Sequence, residues 1–248
     1  MEAAIANYRR LDEQKIVETI RDMQKRIERR FPDSGLGKLV AELLRVAEET
    51  VERTQWIKKP KRTLRVGVAV LIVGIITVIV GLGVKIRQFQ LSDYANFIQA
   101  LEASLGSLVF ISAAIIFLVS WENRIKRSRA LKAVHELRAM AHIVDMHQLT
   151  KDPEVYFGRT SRVSPPKRPM TPFELNRYLD YCGDSLALIS KIAALYVQEF
   201  QDPVLLTAVD EVEELTSGLS RKIWQKITLL EQLTRSLPAE EKPEQQAS

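Results

Sequence analysis

Two stretches of this chain run for 19 residues each without an ionisable side chain, and no other feature limits the possible folds so strongly. The first, VGVAVLIVGIITVIVGLGV, extends from Val66 to Val84. The second, ASLGSLVFISAAIIFLVSW, extends from Ala103 to Trp121. At 1.5 Å per residue, each makes a helix of about 29 Å, close to the hydrocarbon thickness of a bilayer. A buried helix in a water-soluble protein is usually shorter or interrupted by charge. Here charge sits only at the ends: Arg65 and Lys85 bound the first run, Glu102 and Glu122 the second. The pattern predicts two transmembrane helices.

The flanks set the expected orientation. Arg53, Lys58, Lys59, Lys61, Arg62 and Arg65 precede the first run, and Arg124, Lys126, Arg127, Arg129 and Lys132 follow the second. The connection, KIRQFQLSDYANFIQALE, has two basic and two acidic residues. Basic residues near membrane ends remain cytoplasmic, so both termini are expected inside the cell, with a short loop facing outward. The opening residues, MEAAIANYRRLDEQK, lack an apolar h-region, so no cleaved leader is expected and the first run serves as the insertion signal. The expected location is the inner membrane, multi-pass. Residues 122–170 carry 11 basic against 5 acidic residues, whereas residues 171–248 carry 7 against 13. Anionic lipid headgroups account for the basic membrane flanks.

Small residues pattern both runs. Gly67, Gly74 and Gly81 repeat every seven residues, with Thr77 on nearly the same side. Gly106, Ala113 and Ser120 repeat at the same spacing in the second run, flanked by Phe110 and Phe117. Small residues let helix backbones approach closely in lipid. The stripes suit packing within the hairpin, contact with a neighbouring subunit, or a weakly polar pore wall. No charged residue lies at mid-membrane, which argues against a proton relay or a voltage sensor.

Outside the membrane runs, 3.6-residue periodicity dominates. Residues 3–30 read as an amphipathic helix with Ile5, Tyr8, Ile16, Ile20, Met23 and Ile27 on its apolar side. FPDSGLG (31–37) reads as a turn. A second helix, with Val40, Leu43, Leu44, Ala47 and Val51, runs to Lys59 before Pro60. No breaker follows Trp121 until Lys151, Asp152 and Pro153. The second membrane helix is therefore expected to continue to about His147 or Leu149, with Ile125, Val134, Leu137, Ala141 and Val144 buried. A further helix opens at Thr171, where Pro172 and Glu174 complete a capping box and Met170 and Leu175 suit a hydrophobic staple. Its apolar face comprises Leu175, Leu179, Cys182, Leu186, Ile189, Ala193 and Tyr196. After Asp202-Pro203, a heptad stripe comprises Leu205, Val209, Val212, Thr216, Leu219, Ile223, Lys226, Leu230, Leu233 and Leu237. It is long enough for a coiled-coil seam between subunits or within a bundle. Residues 238–248 read as a disordered tail.

Residues 150–170, TKDPEVYFGRTSRVSPPKRPM, read as an irregular segment with four prolines. Lys151, Arg159, Arg162, Lys167 and Arg168 interleave with Tyr156 and Phe157, a mixture suited to an anionic ligand carrying a flat base, such as a nucleotide or oligonucleotide. A solvated linker leaning on the acidic C-terminal helix has the same composition. His135, His142 and Asp145 share a helix face, which fits a metal site, a pH sensor or simple polar contacts, but no HExxH or repeated ExxH pattern completes a ligand set. Cys182 is the single cysteine and falls on an apolar face; Asp180 and Asp184 read as surface charge. Without a Walker motif, a dinucleotide fingerprint or a nucleophile elbow, no cofactor and no enzymatic activity are expected.

The expected fold is therefore all-α: a two-span transmembrane helical hairpin with a cytoplasmic helical bundle built from both chain ends. Its parts are an N-terminal helical hairpin (1–59), the membrane hairpin (60–121) and a second cytoplasmic helical region (122–237). Over residues 58–132, the hairpin and its basic flanks resemble prokaryotic two-transmembrane effectors of the SLATT class that accompany nucleotide-signalling defence systems. The resemblance implies a pore opened or assembled by a cytoplasmic nucleotide. Two spans cannot enclose a conduit alone, so such a pore needs a homo-oligomer of four or more subunits. A membrane-anchored scaffold without a conduit is the competing expectation.

Overall fold

A computed structural model of the chain describes residues 9–58, 62–87, 94–156 and 170–236. Among them every regular element is helical: α1 (Glu13–Arg30), α2 (Gly35–Lys58), α3 (Arg62–Arg87), α4 (Tyr94–Leu149), the short α5 (Pro153–Tyr156), α6 (Pro172–Glu199) and α7 (Pro203–Arg235). Two compact units result. One joins Met1–Lys58 to Ala130–Ser248; the other is Lys59–Arg129.

The first unit is a bundle of α1, α2, the C-terminal part of α4, α6 and α7. Helix α1 begins later than its periodicity predicts, because Asp12 caps it. The Asp12 carboxylate accepts hydrogen bonds from the Gln14 and Lys15 N–H groups at 3.0 and 3.2 Å. The residues just before are held elsewhere: Leu11 exchanges hydrogen bonds with the Gln198 side chain, and Arg10 pairs with Glu199. Ile5 and Tyr8 lie outside the described residues. The turn after α1 is also shorter than predicted. Asp33 takes a positive φ of 56°, and Ser34 Oγ accepts from the Gly37 N–H at 3.0 Å, so Gly35 already starts α2.

Gly35 lies close under a neighbouring ring. A Cβ there would collide with the imidazole of His147, at the end of α4. Gly35→Ala should therefore lower the melting temperature, and His147→Ala should recover most of that loss in the double mutant. Additive losses would show that the ring does not rest on this backbone.

Helix α6 forms as its start signals predict. Thr171 Oγ1 accepts from the Glu174 N–H, and the Glu174 carboxylate accepts from the Thr171 N–H, closing the capping box. All seven residues of the predicted apolar face are buried, and so are Tyr178, Ser185, Leu188, Ile192 and Leu195. That second stripe makes α6 the central helix: it packs on α1, α2 and α7. Helix α7 is capped by Asp202, as predicted, and spans Pro203–Arg235; Leu237 and the predicted tail at 238–248 lie outside the described residues. Leu205, Val209, Val212, Thr216, Leu219, Ile223, Leu230 and Leu233 are all buried, and Ile227 takes the core position predicted for Lys226. The heptad stripe is thus closed within the bundle, chiefly against α6, and is not left open as a seam for another subunit.

The C-terminal part of α4 buries Ala130, Ala133, Val134, Leu137, Met140, Ala141 and Val144. Ile125, expected among them, is exposed; it precedes the unit boundary at Ala130. Paired side chains fix the remaining contacts. Arg138 donates to Glu211 at 2.7 Å, Lys226 Nζ donates to the Gln148 carbonyl at 2.9 Å, and Arg53 pairs with Glu136 at 3.6 Å. Both α4–α7 contacts advance together along the two helices, which therefore run in the same direction.

The second unit holds both uncharged runs. The first lies within α3, the second within α4. Residues 85–87 and 94–102 are helical, so the predicted connection is shorter than the apolar boundaries suggest. Among the described residues, the α4 segment Leu101–Leu149 is long and apolar enough to cross a membrane, and none of its most apolar window is buried within the molecule.

Candidate functional site

One end of the bundle gathers the chemistry. The α1–α2 turn, the C-terminus of α4, the N-terminus of α6 and the last turns of α7 meet there. Phe31 packs edge-on against Tyr178 and Tyr181, with ring centroids at 5.5 and 6.4 Å. Lys151 Nζ lies 5.4 Å from the Tyr178 ring centroid, and the Arg30 and Arg177 guanidinium carbons lie 5.3 and 5.7 Å from that of Phe173. Phe173 is 58 % exposed. Each of these cations is close enough to a ring for an attractive cation–π contact.

Of the predicted ligand-binding residues, Lys151 is thus placed against the bundle, packed on Tyr178. Tyr156 ends the single-turn α5, which replaces part of the expected irregular segment. Arg159, Arg162, Lys167 and Arg168 lie outside the described residues. Arg30, Phe173 and Arg177 were missed by sequence reasoning. Phe173 and Arg177 sit four apart on one helix, a detectable i, i+4 pair, but nothing local announces that Arg30 joins them from far away in the chain.

His147 lies at the same end. Burial and the nearby Lys151 ammonium hold its pKa below the ordinary histidine value. Its neutral form therefore belongs to the folded state. The stabilisation is complete above the unfolded-state pKa of about 6.5 and is lost as pH falls through the depressed folded value. Acidification below about pH 6.5 should lower the melting temperature, and His147→Gln should flatten that dependence; an unchanged slope would exclude this histidine as its source.

His135 and His142 are exposed, and Asp145 accepts a 2.6 Å hydrogen bond from Gln148. Among the described residues, no cluster of three histidine, cysteine or acidic side chains could hold a metal. Burial pushes the Cys182 thiol up to about 12, so it stays protonated and unreactive at neutral pH. Burial and then the neighbouring Asp180 raise the Asp184 carboxyl above its usual range. A shallow groove of about 610 Å³ between α4 and α7 is lined by Arg138, Glu211, Leu215, Gly218 and Lys222 among others, and contains none of the predicted ligand residues. Elsewhere on α7, Trp224 is 67 % exposed and is not part of the groove lining.

In the second unit the small-residue stripe divides. A Cβ on Gly67 would lie 3.2 Å from Ile115, so α3 and α4 pack closely there; Cβ atoms on Gly74, Gly81 or Gly106 would meet nothing within 4 Å. Thr77 and Ser107 donate to the carbonyls of Val73 and Ala103, four residues earlier, so their hydroxyls are satisfied within their own helices. Ala113 and Ser120 are exposed, as are Phe110 and Phe117, at 78 % and 62 %. The predicted packing residues therefore present an outward apolar surface broken by small side chains. No protein-family model, curated protein or solved structure matches this chain.

Proposed function

We propose that the chain is a homo-oligomeric integral membrane protein that acts as a ligand-controlled ion channel or pore-forming effector. In this reading residues 66–84 and 103–121 span the inner membrane, both termini are cytoplasmic, and the bundle senses an anionic ligand such as a nucleotide or oligonucleotide. The observation that carries it is the continuity of α4. One helix runs from Tyr94 to Leu149, so the residues of the second uncharged run and the buried Leu137, Ala141 and Val144 belong to the same continuous helix. In this reading a ligand-driven change at the bundle end of that helix is passed along it to the membrane run.

The exposed apolar side chains support a lipid environment, since soluble monomers rarely expose contiguous apolar patches of this kind. The unoccupied space over Gly74, Gly81 and Gly106 suits close approach by neighbouring subunits. With Thr77 and Ser107 satisfied internally, a pore lined by these helices is weakly polar and gates by dewetting. Ion flux from liposomes containing the purified protein tests the proposal. Flux that depends on ligand supports it; tight liposomes containing oligomeric protein overturn it.

A second reading is a membrane-anchored scaffold without a conduit. The exposed Trp224 on α7 favours it, because tryptophan is enriched among the residues that anchor protein contacts. Mass measurement in detergent separates the two: four or more subunits support a channel, a monomer or dimer the scaffold.

A further inference from the structure

Three cations from three parts of the chain are held on aromatic rings at one end of the bundle. Arg30 ends α1, Lys151 follows α4, and Arg177 lies in the second turn of α6. Arg30 adjoins Phe31 in sequence and Arg177 adjoins Tyr178, and Phe31 packs edge-on against Tyr178 at 5.5 Å. The Arg30–Phe173–Arg177 group and the Lys151–Tyr178 pair are therefore linked through the buried Phe31–Tyr178 contact.

Bringing two guanidinium groups to one ring has a cost. They repel each other, and both long side chains lose freedom. Little among the described residues offsets this. The Glu174 carboxylate, next to Phe173, accepts from the Thr171 backbone in the capping box. Asp180 reaches Arg177 at only 3.5 Å, and Arg30 has no carboxylate partner among the described residues. Both guanidinium forks lie near one ring centroid, at 5.3 and 5.7 Å, and both side chains are exposed, so an anion can reach them from solvent. Guanidinium groups match phosphate oxygens in geometry as well as in charge.

We propose that Arg30, Phe173 and Arg177 form a binding site for a phosphate-bearing ligand, with Lys151 at its edge. Phe173 positions the two guanidiniums, and the bound phosphate displaces Asp180 from Arg177. The inference deepens the anionic-ligand reading given above and rests on it for the ligand class, but it assigns binding to different residues. Because the site joins α1 to α6, occupancy ties together two helices of the bundle.

Inorganic pyrophosphate is the probe, titrated calorimetrically into the full chain in detergent at low salt. Saturable binding is expected, weakening as salt rises. Arg30→Gln with Arg177→Gln should weaken it by at least about tenfold, the scale of lost charge-assisted hydrogen bonds. Phe173→Leu keeps both charges and should still weaken binding severalfold, an effect that a diffuse basic surface would not show. Circular dichroism melts of each variant establish that the bundle remains folded. Absence of saturable binding, or unchanged affinity in the double arginine variant, overturns the proposal. So does loss of binding only when Arg159, Arg162, Lys167 and Arg168 are replaced together. Ligand-dependent flux that survives Arg30→Gln with Arg177→Gln removes this site and leaves the channel reading intact. Pyrophosphate binding as expected in protein whose liposomes stay tight keeps this site and removes the channel.

Discussion

With Ser128 replaced by proline, ligand control of ion flux should disappear while the bundle remains folded. Ser128 is exposed and lies two residues before the boundary between the compact units, inside the unbroken α4. Its side chain contributes nothing to either core. Proline there removes one backbone hydrogen bond and drives its ring against the preceding turn, at a cost of about 3 kcal/mol or more, so the helix bends or breaks locally. If α4 transmits movement, the break uncouples sensing from the membrane segment. Ser128→Ala, which preserves the helix, should keep ligand-dependent flux. Equal flux in the two variants would show that the helix transmits nothing.

Leu186→Ala should cost the bundle a large part of its stability. Leu186 is fully buried on α6, the helix that packs on α1, α2 and α7. Few of its neighbours can move to fill the space, because α6 is enclosed on two faces. Such truncations cost about 2–5 kcal/mol. For a unit of this size that is roughly 5–20 °C in melting temperature, measurable by circular dichroism in detergent. Leu206→Ala is the control: Leu206 is half exposed on α7, and its loss should change the melting temperature little. Similar losses at both positions would contradict the assignment of α6 as the central helix.

The parts of this fold legible in the sequence are those governed by neighbours in the chain. The Thr171–Glu174 capping box, the Asp202 cap and the continuation of α4 past Trp121 depend on contacts within a few residues, and each forms as its residues predict. The late start of α1 departs from its periodicity because two distant partners, Gln198 and Glu199, hold Leu11 and Arg10 in non-helical backbone. The heptads of α7 predicted a buried stripe but could not say against what, since a seam closed by α6 and a seam closed by another chain need the same apolar spacing. The second buried stripe of α6 was hidden because Tyr178 and Ser185 are equally at home on a surface. The candidate site was least legible. Arg30, Phe173 and Arg177 converge only when α1 and α6 pack together, whereas the more conspicuous basic segment at 157–169 lies outside the described residues.

The account depends on lipid, rather than water or protein, surrounding the second uncharged run. Nitroxide labels at Phe110→Cys and Phe117→Cys, with Cys182→Ser to remove the native thiol, test this in reconstituted membranes. Both positions point out of the molecule. Collisions with oxygen should relax these labels strongly and collisions with a water-soluble nickel chelate hardly at all, with the reverse at Glu18→Cys on the exposed side of α1. Nickel access at residues 110 and 117 equal to that at residue 18 would place the run in water and contradict the account.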